Sequence, residues 1–337
     1  MATSTTAPAG SGTPEKSAAR RKTDVSGLFE KWALVGALVV LVAVCMATIP
    51  QFRTASLFTT MLNAQSLVLL LALTATVVLR MGDFDLSISQ TMVASAAVIG
   101  QLTTNGTSPA VAIPLALALG ACVGLVNALL VVRIGVDSFV ATLGSYTALA
   151  GLSYLITDSR IVAGASDGFI NFSRSQIAGI PLITWYAWIL VIVLWYVYQR
   201  TPLGRYSLFI GGNRNAATLA GIPVNRIRTG AYVVSGLLAA FLGVCFFGYF
   251  GAVDPSAGGQ YMLQPFAAAF LGSTAITVGR FNAWGTIAAL YLLTVGITAL
   301  QILGAETWVT NLFYGLALML SVAAAKIAGR RRAGGAK

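Results

Sequence analysis

Histidine is absent from this chain of 337 residues, and charge is scarce, at 9% of the sequence. A soluble domain carries about 25% charged residues. The lack of histidine removes the commonest general base and metal ligand. Cysteine occurs three times, at Cys45, Cys122 and Cys245, each inside a long apolar run and with no paired spacing. These thiols read as small apolar packing residues, not as a disulfide framework or a metal site. No glycine is followed by lysine, so the G-x-x-x-x-G-K-[ST] loop that cradles nucleotide phosphates is missing. Nor is there a His–Ser or Asp–Asp pair placed to face across helices, as an intramembrane hydrolase would need; Asp83 and Asp85 lie two apart on one turn. The expectation is a chain with no catalytic residues, no metal and no cofactor of its own.

What the chain has in abundance is apolar length: 57% hydrophobic residues and a mean hydropathy of +0.82. Taking runs of about 20 apolar residues as spans gives about ten, at 32–49, 57–78, 86–102, 110–132, 139–156, 183–198, 229–250, 263–278, 283–301 and 309–325. With the N-terminus in the cytoplasm, only Arg53, Arg160 and Arg174 of the 21 basic residues fall on the outer side. That is a strong positive-inside bias. The outer loops carry those three against Asp158, Asp167, Asp254 and Glu306, so the net charge of +11 belongs to the inner face. There it meets anionic lipid, not nucleic acid. The reading is an all-α polytopic membrane protein in one bundle, residues 32–326, with both termini cytoplasmic. A tail at 1–31, rich in Ser, Thr, Ala and Gly, is expected to be disordered. It sets the first apolar run too far in for a usual cleaved signal, so that span is retained. A basic cytoplasmic tail, 327–337, closes the chain.

Most connections are short, so neighbouring spans form antiparallel hairpins. Two are longer. The outer segment 157–181 is long enough for a small helix on the outer surface. The inner segment 199–228 holds Gly211, Gly212, Asn213, Ala216, Ala217, Gly221, Ile222 and Pro223. Asn213 suits an N-cap, Gly221 the left-handed residue after a helix, and Pro223 a stop. Two helical turns flanked by glycines make a compact knob, ringed by Arg205, Arg214, Arg226 and Arg228. It is either a capped surface helix or a docking element for a soluble partner.

A polar break stands between the second and third spans. Arg80, Gly82, Asp83, Phe84, Asp85, Leu86, Ser87, Ser89, Gln90 and Thr91 follow one another with almost no linker. Carboxylates this close to lipid are expensive and are functional candidates by default. Gly82 permits a tight or left-handed turn. Asp85 is expected to cap a helix starting at Leu86, and Asp83 to pair with Arg80 at the interface; on that reading Asp83 is the dispensable acid of the two. The sharper reading makes the turn part of a translocation path or inner gate.

The knob sequence Gly-Gly-Asn-x-x-Ala-Ala-x-x-x-Gly-Ile resembles the cytoplasmic loop signature of ATP-binding-cassette importer permeases of the ribose/xylose/arabinose group. In that family the loop holds a coupling helix seated in a cleft of the ATPase subunit. The break is similar to the family's Gly-x-Asp-Leu-Ser-x-Gly stretch, with one extra residue between Gly82 and Asp85 and with Ser89 in place of a glycine. A third likeness covers Ala268–Leu290, carried by Phe270, Gly272, Ser273, Thr274, Gly279, Gly285 and Thr286. Its hydroxyls and small surfaces suit tight packing and a polar path. The resemblance implies a permease subunit in a bacterial inner membrane. It implies a homodimer, two cytoplasmic ATP-binding subunits and an extracytoplasmic sugar-binding protein. ATP would be bound by the partner subunit.

Span-embedded polar groups are neutral: Asn63, Gln65, Ser66, Thr74, Asn127, Ser145, Tyr146, Thr147, Gln264 and Gln301. Singly, most serve as helix–helix glue, worth about 0.6 kcal/mol each. Together they fit an uncharged, hydroxyl-rich solute. A secondary transporter driven by an ion gradient is the competing class. The missing midplane acids and the docking-like loop weigh against it.

Overall fold

The computed structural model describes residues 25–334, most of them helical. The long elements are α1 (Val25–Thr48), α2 (Ala55–Leu79), α3 (Ile88–Thr104), α4 (Pro109–Ala128) and α5 (Ser138–Ile156). A short α6 (Asp167–Ser173) precedes α7 (Leu182–Arg200), α8 (Pro202–Gly212) and α9 (Arg214–Leu219). Then come α10 (Val224–Phe250), α11 (Gln264–Gly272), α12 (Ala283–Ile302) and α13 (Thr307–Gly334). Residues 1–24 of the segment read as a disordered tail lie outside those described; residues 25–31 belong to α1.

Local chemistry sets the boundaries. Ser108 accepts the Ala110 N–H and Pro109 takes the first position of α4, where no amide donor is needed. A wide turn at Leu129–Ile134 continues α4 and is closed by Gly135 at φ +87°. Asp137 then caps α5 through the amides of Phe139 and Val140, at 3.0 and 3.2 Å.

Seven helices are long and apolar enough to cross a membrane: Lys31–Thr48, Ala55–Leu79, Pro109–Ile134, Ser138–Ile156, Leu182–Arg200, Val224–Phe250 and Ala283–Ile302. The remaining expected spans depart from simple crossing helices. The span expected at 263–278 is helical only over Gln264–Gly272, nine residues, far short of the roughly 20 needed. The span at 86–102 appears as α3, 17 residues long. That at 309–325 lies in α13, whose apolar stretch is Trp308–Ala323. Apolar composition alone does not separate a crossing helix from a half-helix followed by irregular chain.

The bundle centres on α2, α3 and α10. Every residue of α3 from Ile88 to Ala97 is buried, so this helix has no lipid face. In lipid, apolar contact supplies no net drive for helix pairing, and small residues allow backbones to approach. A Cβ on Gly120 of α4 would collide with the Gly236 carbonyl of α10, and one on Gly236 with the Gly120 carbonyl. Gly124 meets the Tyr232 carbonyl in the same way, and Gly243 of α10 meets the Met92 carbonyl of α3. At the end far from α8 and α9, the segment 157–181 forms α6 and the two-residue strands β1 (Val162–Ala163), β2 (Gln176–Ile177) and β3 (Ile180–Pro181). β1 pairs antiparallel with β4 (Ala252–Val253), after α10. Cys45 and Cys245 are buried, and all three thiols are free.

Gly236→Leu is therefore expected to force α4 and α10 apart and destabilise the protein by about 1–3 kcal/mol. Gly144→Leu, at a position with open space around it, should stay within about 0.5 kcal/mol. Thermal unfolding of the two variants in detergent checks this, and equal melting temperatures would contradict it.

Candidate functional site

The first helix break runs from Arg80 to Ser87. Most of this stretch is buried in protein, so its irregular backbone must find hydrogen-bond partners on other elements. Gly82 turns the chain at φ +76°. The Phe84 N–H donates to Ser138 Oγ at 3.1 Å, and the Leu86 N–H to Thr142 Oγ1 at 3.1 Å. The Phe84 carbonyl accepts from the Tyr232 hydroxyl at 3.1 Å. Two helices, α5 and α10, thus supply what a continuous helix would have given itself.

Asp85 does not cap a helix at Leu86. The helix begins at Ile88, with Ser87 at the N-cap position. Asp85 is 1% exposed and accepts from the Ser87 N–H (3.2 Å), Ser87 Oγ (2.6 Å) and Ser235 Oγ (2.7 Å). Asn127 of α4 donates to Ser87 Oγ at 2.8 Å and accepts from Ser145 of α5 at 2.5 Å. One carboxylate therefore gathers α3, α4, α5 and α10 around the start of the third helix.

Asp83 does not pair with Arg80. It is 1% exposed and is held in a fork by Arg228 of α10, with Nε at 2.7 Å and Nη2 at 2.9 Å. Arg214, the first residue of α9, reaches the same carboxylate at 2.5 Å. Arg80 instead donates to Ser207 Oγ (2.9 Å), to the Gly204 carbonyl (3.2 Å) and to the Phe281 carbonyl (2.7 Å), and lies on the Tyr198 ring. Sequence proximity favoured an Arg80–Asp83 pair; the tight turn at Gly82 sends the two side chains to different helices.

The knob is built as its residues suggest, although the 199–228 segment is more helical than a loop. Thr201 caps α8, and Asn213 caps α9 by accepting the Ala216 N–H at 3.0 Å. After α9, Gly221 at φ +77° lets its own N–H reach the Thr218 carbonyl and the Ile222 N–H reach the Ala217 carbonyl. This is the double bond pattern of a left-handed helix ending. Ala217 and Ile210 are buried against Val78 and Met81 at the end of α2, with Ile222 packed alongside. A Cβ on Gly211 would collide with the Arg80 carbonyl. Gly212 and Ala216 are exposed, and Leu219 points outward at 89% exposure.

The second break follows α11. Gly272 meets Gly285 and Thr286 of α12 at backbone distance, so neither glycine tolerates a Cβ. Ser273 and Thr274 donate their hydroxyls to the Phe270 and Leu271 carbonyls, each at 2.7 Å. Those protons are spent inside the turn. Asn282, absent from the sequence-based candidates, holds the break together. Its amide donates to the carbonyls of Gly272 and Ala275, and its Oδ1 caps α12 at the Gly285 N–H. The two breaks touch: the Phe84 ring stacks on Phe270 at 6.1 Å and sits 6.4 Å from Phe266.

Among the site candidates, Gly82, Asp83, Asp85, Leu86 and Ser87 share one turn, buried except at Gly82. Gly211 and Ala217 press the knob against it, Asn213 caps the knob helix, and Gly272, Ser273 and Thr274 form the adjoining break. The reasoning from sequence placed Arg228 beside the knob without joining it to Asp83, and missed Ser235, Tyr232, Ser138, Thr142 and Asn282. A buried acid demands a cation, which was the available signal for Arg228; nothing local marked the hydroxyls.

A family model described as the permease component of a branched-chain amino acid transport system matches residues 57–322. This chain belongs to that family. The permease is 30% identical over 307 residues to the ribose import permease protein RbsC of Escherichia coli K12, covering 90% of this chain and 95% of the relative. It is 28% identical over 304 residues to the L-arabinose ABC transporter permease protein AraH of Azospirillum brasilense, covering 90% of each. A fructose import permease protein, FrcC of Rhizobium meliloti, is 29% identical over 283 residues, 81% of this chain and 78% of that one. No solved structure matches. The permease is accordingly a multi-pass transport protein of the inner membrane.

The clamp on Asp83 gives a prediction that reverses the expectation drawn from sequence. Asp83→Asn leaves the Arg228 guanidinium, 8% exposed, without its counter-charge. Breaking a buried pair in this way costs about 3–5 kcal/mol. Asp158→Asn, at the exposed Asp158–Arg160 pair, should cost no more than about 1 kcal/mol. Thermal unfolding of both variants in detergent reads the difference, and similar losses would refute the clamp.

Proposed function

We propose that this permease forms the translocation path of an ATP-driven, binding-protein-dependent importer of a sugar, working as a homodimer with two separate cytoplasmic ATPase subunits. Relatives carrying the names of ribose, arabinose and fructose permeases support the solute class. The knob end carries Arg80, Arg133, Arg200, Arg205, Arg214, Arg226, Arg228 and Arg280, whereas Arg53, Arg160 and Arg174 lie toward the other end. This asymmetry supports a cytoplasmic knob and cytoplasmic termini. About ten membrane passages result if α3, the α11 break and α13 are counted with the seven long helices. ATP is bound and hydrolysed by the partner; the chain needs no cofactor of its own. An extracytoplasmic sugar-binding protein delivers the solute to the α6 end.

The single observation that carries the coupling role is the Asp83 clamp. Arg214 belongs to the knob, Arg228 to the long helix α10 and Asp83 to the first break, and one carboxylate joins all three. Force applied to α9 reaches the break through that carboxylate and through the Gly211 contact with the Arg80 backbone. From the break it passes to α3 through the chain and to α11 through the Phe84 stack. ATP-driven closure of the ATPase subunits would swing the knob and open or shut a path between protomers. On α5 an exposed stripe containing Gly144, Thr147 and Gly151 is small and polar enough to face that path.

Leu219 is an apolar side chain presented almost fully to the aqueous side by a capped helix, the arrangement of an interface anchor. Leu219→Asp should cost about 2 kcal/mol or more of ATPase binding without lowering the melting temperature. Co-purification with the ATPase subunit and ATP-dependent uptake are the measurements. Uptake that survives the substitution, or uptake driven by an ion gradient without ATP, would favour a secondary transporter.

A further inference from the structure

A cavity of about 270 Å³ opens between the end of α7, the start of α8, the second break and the start of α12. Its lining includes Arg80, Arg205, Arg280, Trp195, Trp284 and Asn282. Three guanidiniums on one small cavity repel each other, and an acid would be expected among them. Among the described residues none of the three has a carboxylate partner. Arg80, at the floor, is 8% exposed and donates only to neutral oxygens of Ser207, Gly204, Tyr198 and Phe281. Arg205 and Arg280 are exposed at the rim. Positive charge converges here on a recess without a counter-charge.

We propose that this cavity binds the phosphate of an anionic phospholipid from the cytoplasmic leaflet. The orientation rests on the transport reading above; the charge cluster does not. Two features select a lipid headgroup over other anions. Trp195 and Trp284 belong to the membrane-crossing helices α7 and α12, and tryptophan on such helices sits at headgroup level. Elsewhere on α7, Ile189, Ile192, Val193 and Tyr196 are about half exposed, an apolar face on the same helix for acyl chains. Basic pockets between helices at the cytoplasmic side are suited to anionic headgroups. A phosphate held by Arg205 and Arg280 would also brace the knob. The same two arginines, with Leu208, border the groove formed by Phe209, Gly212, Asn213 and Ala216.

The test is lipid retention by the full chain purified alone. Protein in detergent is offered phosphatidylglycerol or phosphatidylcholine of identical acyl chains, and native mass spectrometry reads the bound fraction. Wild type should retain phosphatidylglycerol about tenfold or more over phosphatidylcholine, since each basic residue near an anionic phosphate contributes several-fold. Arg205→Ala with Arg280→Ala should bring the ratio near one, the paired lysine substitutions should keep most of it, and Arg133→Ala should leave it intact. Equal retention of the two lipids by wild type overturns the proposal without any variant having to fold. So does a preference that the double alanine variant retains. Loss of the preference in millimolar inorganic phosphate, with phosphate binding to lipid-free protein, would assign the cavity to a free anion. A double variant that keeps its lipid but no longer co-purifies with the ATPase subunit would assign the arginines to protein docking. Because retention is measured without nucleotide or solute, it can fail while the transport reading stands, and the reverse.

Discussion

A single carboxylate with two arginines decides how the knob end of this protein is assembled. Asp83 is 1% exposed, and a carboxylate so placed is costly unless charges and hydrogen bonds surround it. Arg228 meets it with two donors in fork geometry, and Arg214 adds a third contact. The pair with Arg228 is worth little relative to an apolar substitute, because both ions give up their hydration. Its value is positional. Removing either arginine costs the acid a charge-assisted contact, so the break, the knob and α10 are coupled through it.

That constraint acts on chain that is already irregular. A continuous helix through residues 80–87 would satisfy its own backbone and would resist bending at any one point. Here the amides and carbonyl of Phe84 and Leu86 depend on Ser138, Thr142 and Tyr232, side chains of two other helices. A shift of α10 therefore changes the bonding available to the break, and a shift of the break changes the packing of Phe84 on Phe270. The second break has the same character, since Asn282 bonds the end of α11 and the start of α12 at once. Two discontinuities are thus in contact, and one of them is clamped to the knob.

Much of this was legible in the sequence because it depends on near neighbours. Asn213, Gly221 and Pro223 mark the start and stop of α9, and the structure places the cap and the left-handed ending at those residues. Long apolar runs announced seven helices of crossing length. The α11 segment was read as a full span because hydropathy averages over a window; 263–278 is apolar on average, yet the approach of Gly272 to Gly285 and the bonds from Asn282 end the helix at nine residues. Asp83 was misassigned because the nearest cation in sequence, Arg80, is not the nearest in space. Its true partner stands 145 residues away, beyond the reach of any local rule. The hydroxyls that serve the first break were invisible for the same reason: Ser138 and Thr142 read as ordinary helix residues until the chain is folded.

The consumption of charge within the fold also bears on selectivity. Asp83 is spent on arginines and Asp85 on the hydroxyls of Ser87 and Ser235. Asp137 is spent on the amides that open α5. Asp83 and Asp85, each 1% exposed, are closed off from a cation or an amino group in transit. The side chains that remain inside the spans are amides and hydroxyls, whose hydrogen bonds are weak individually and carry no preference for one charge. Such groups can hydrogen-bond a hydroxyl-rich molecule but offer no fixed charge to an ion.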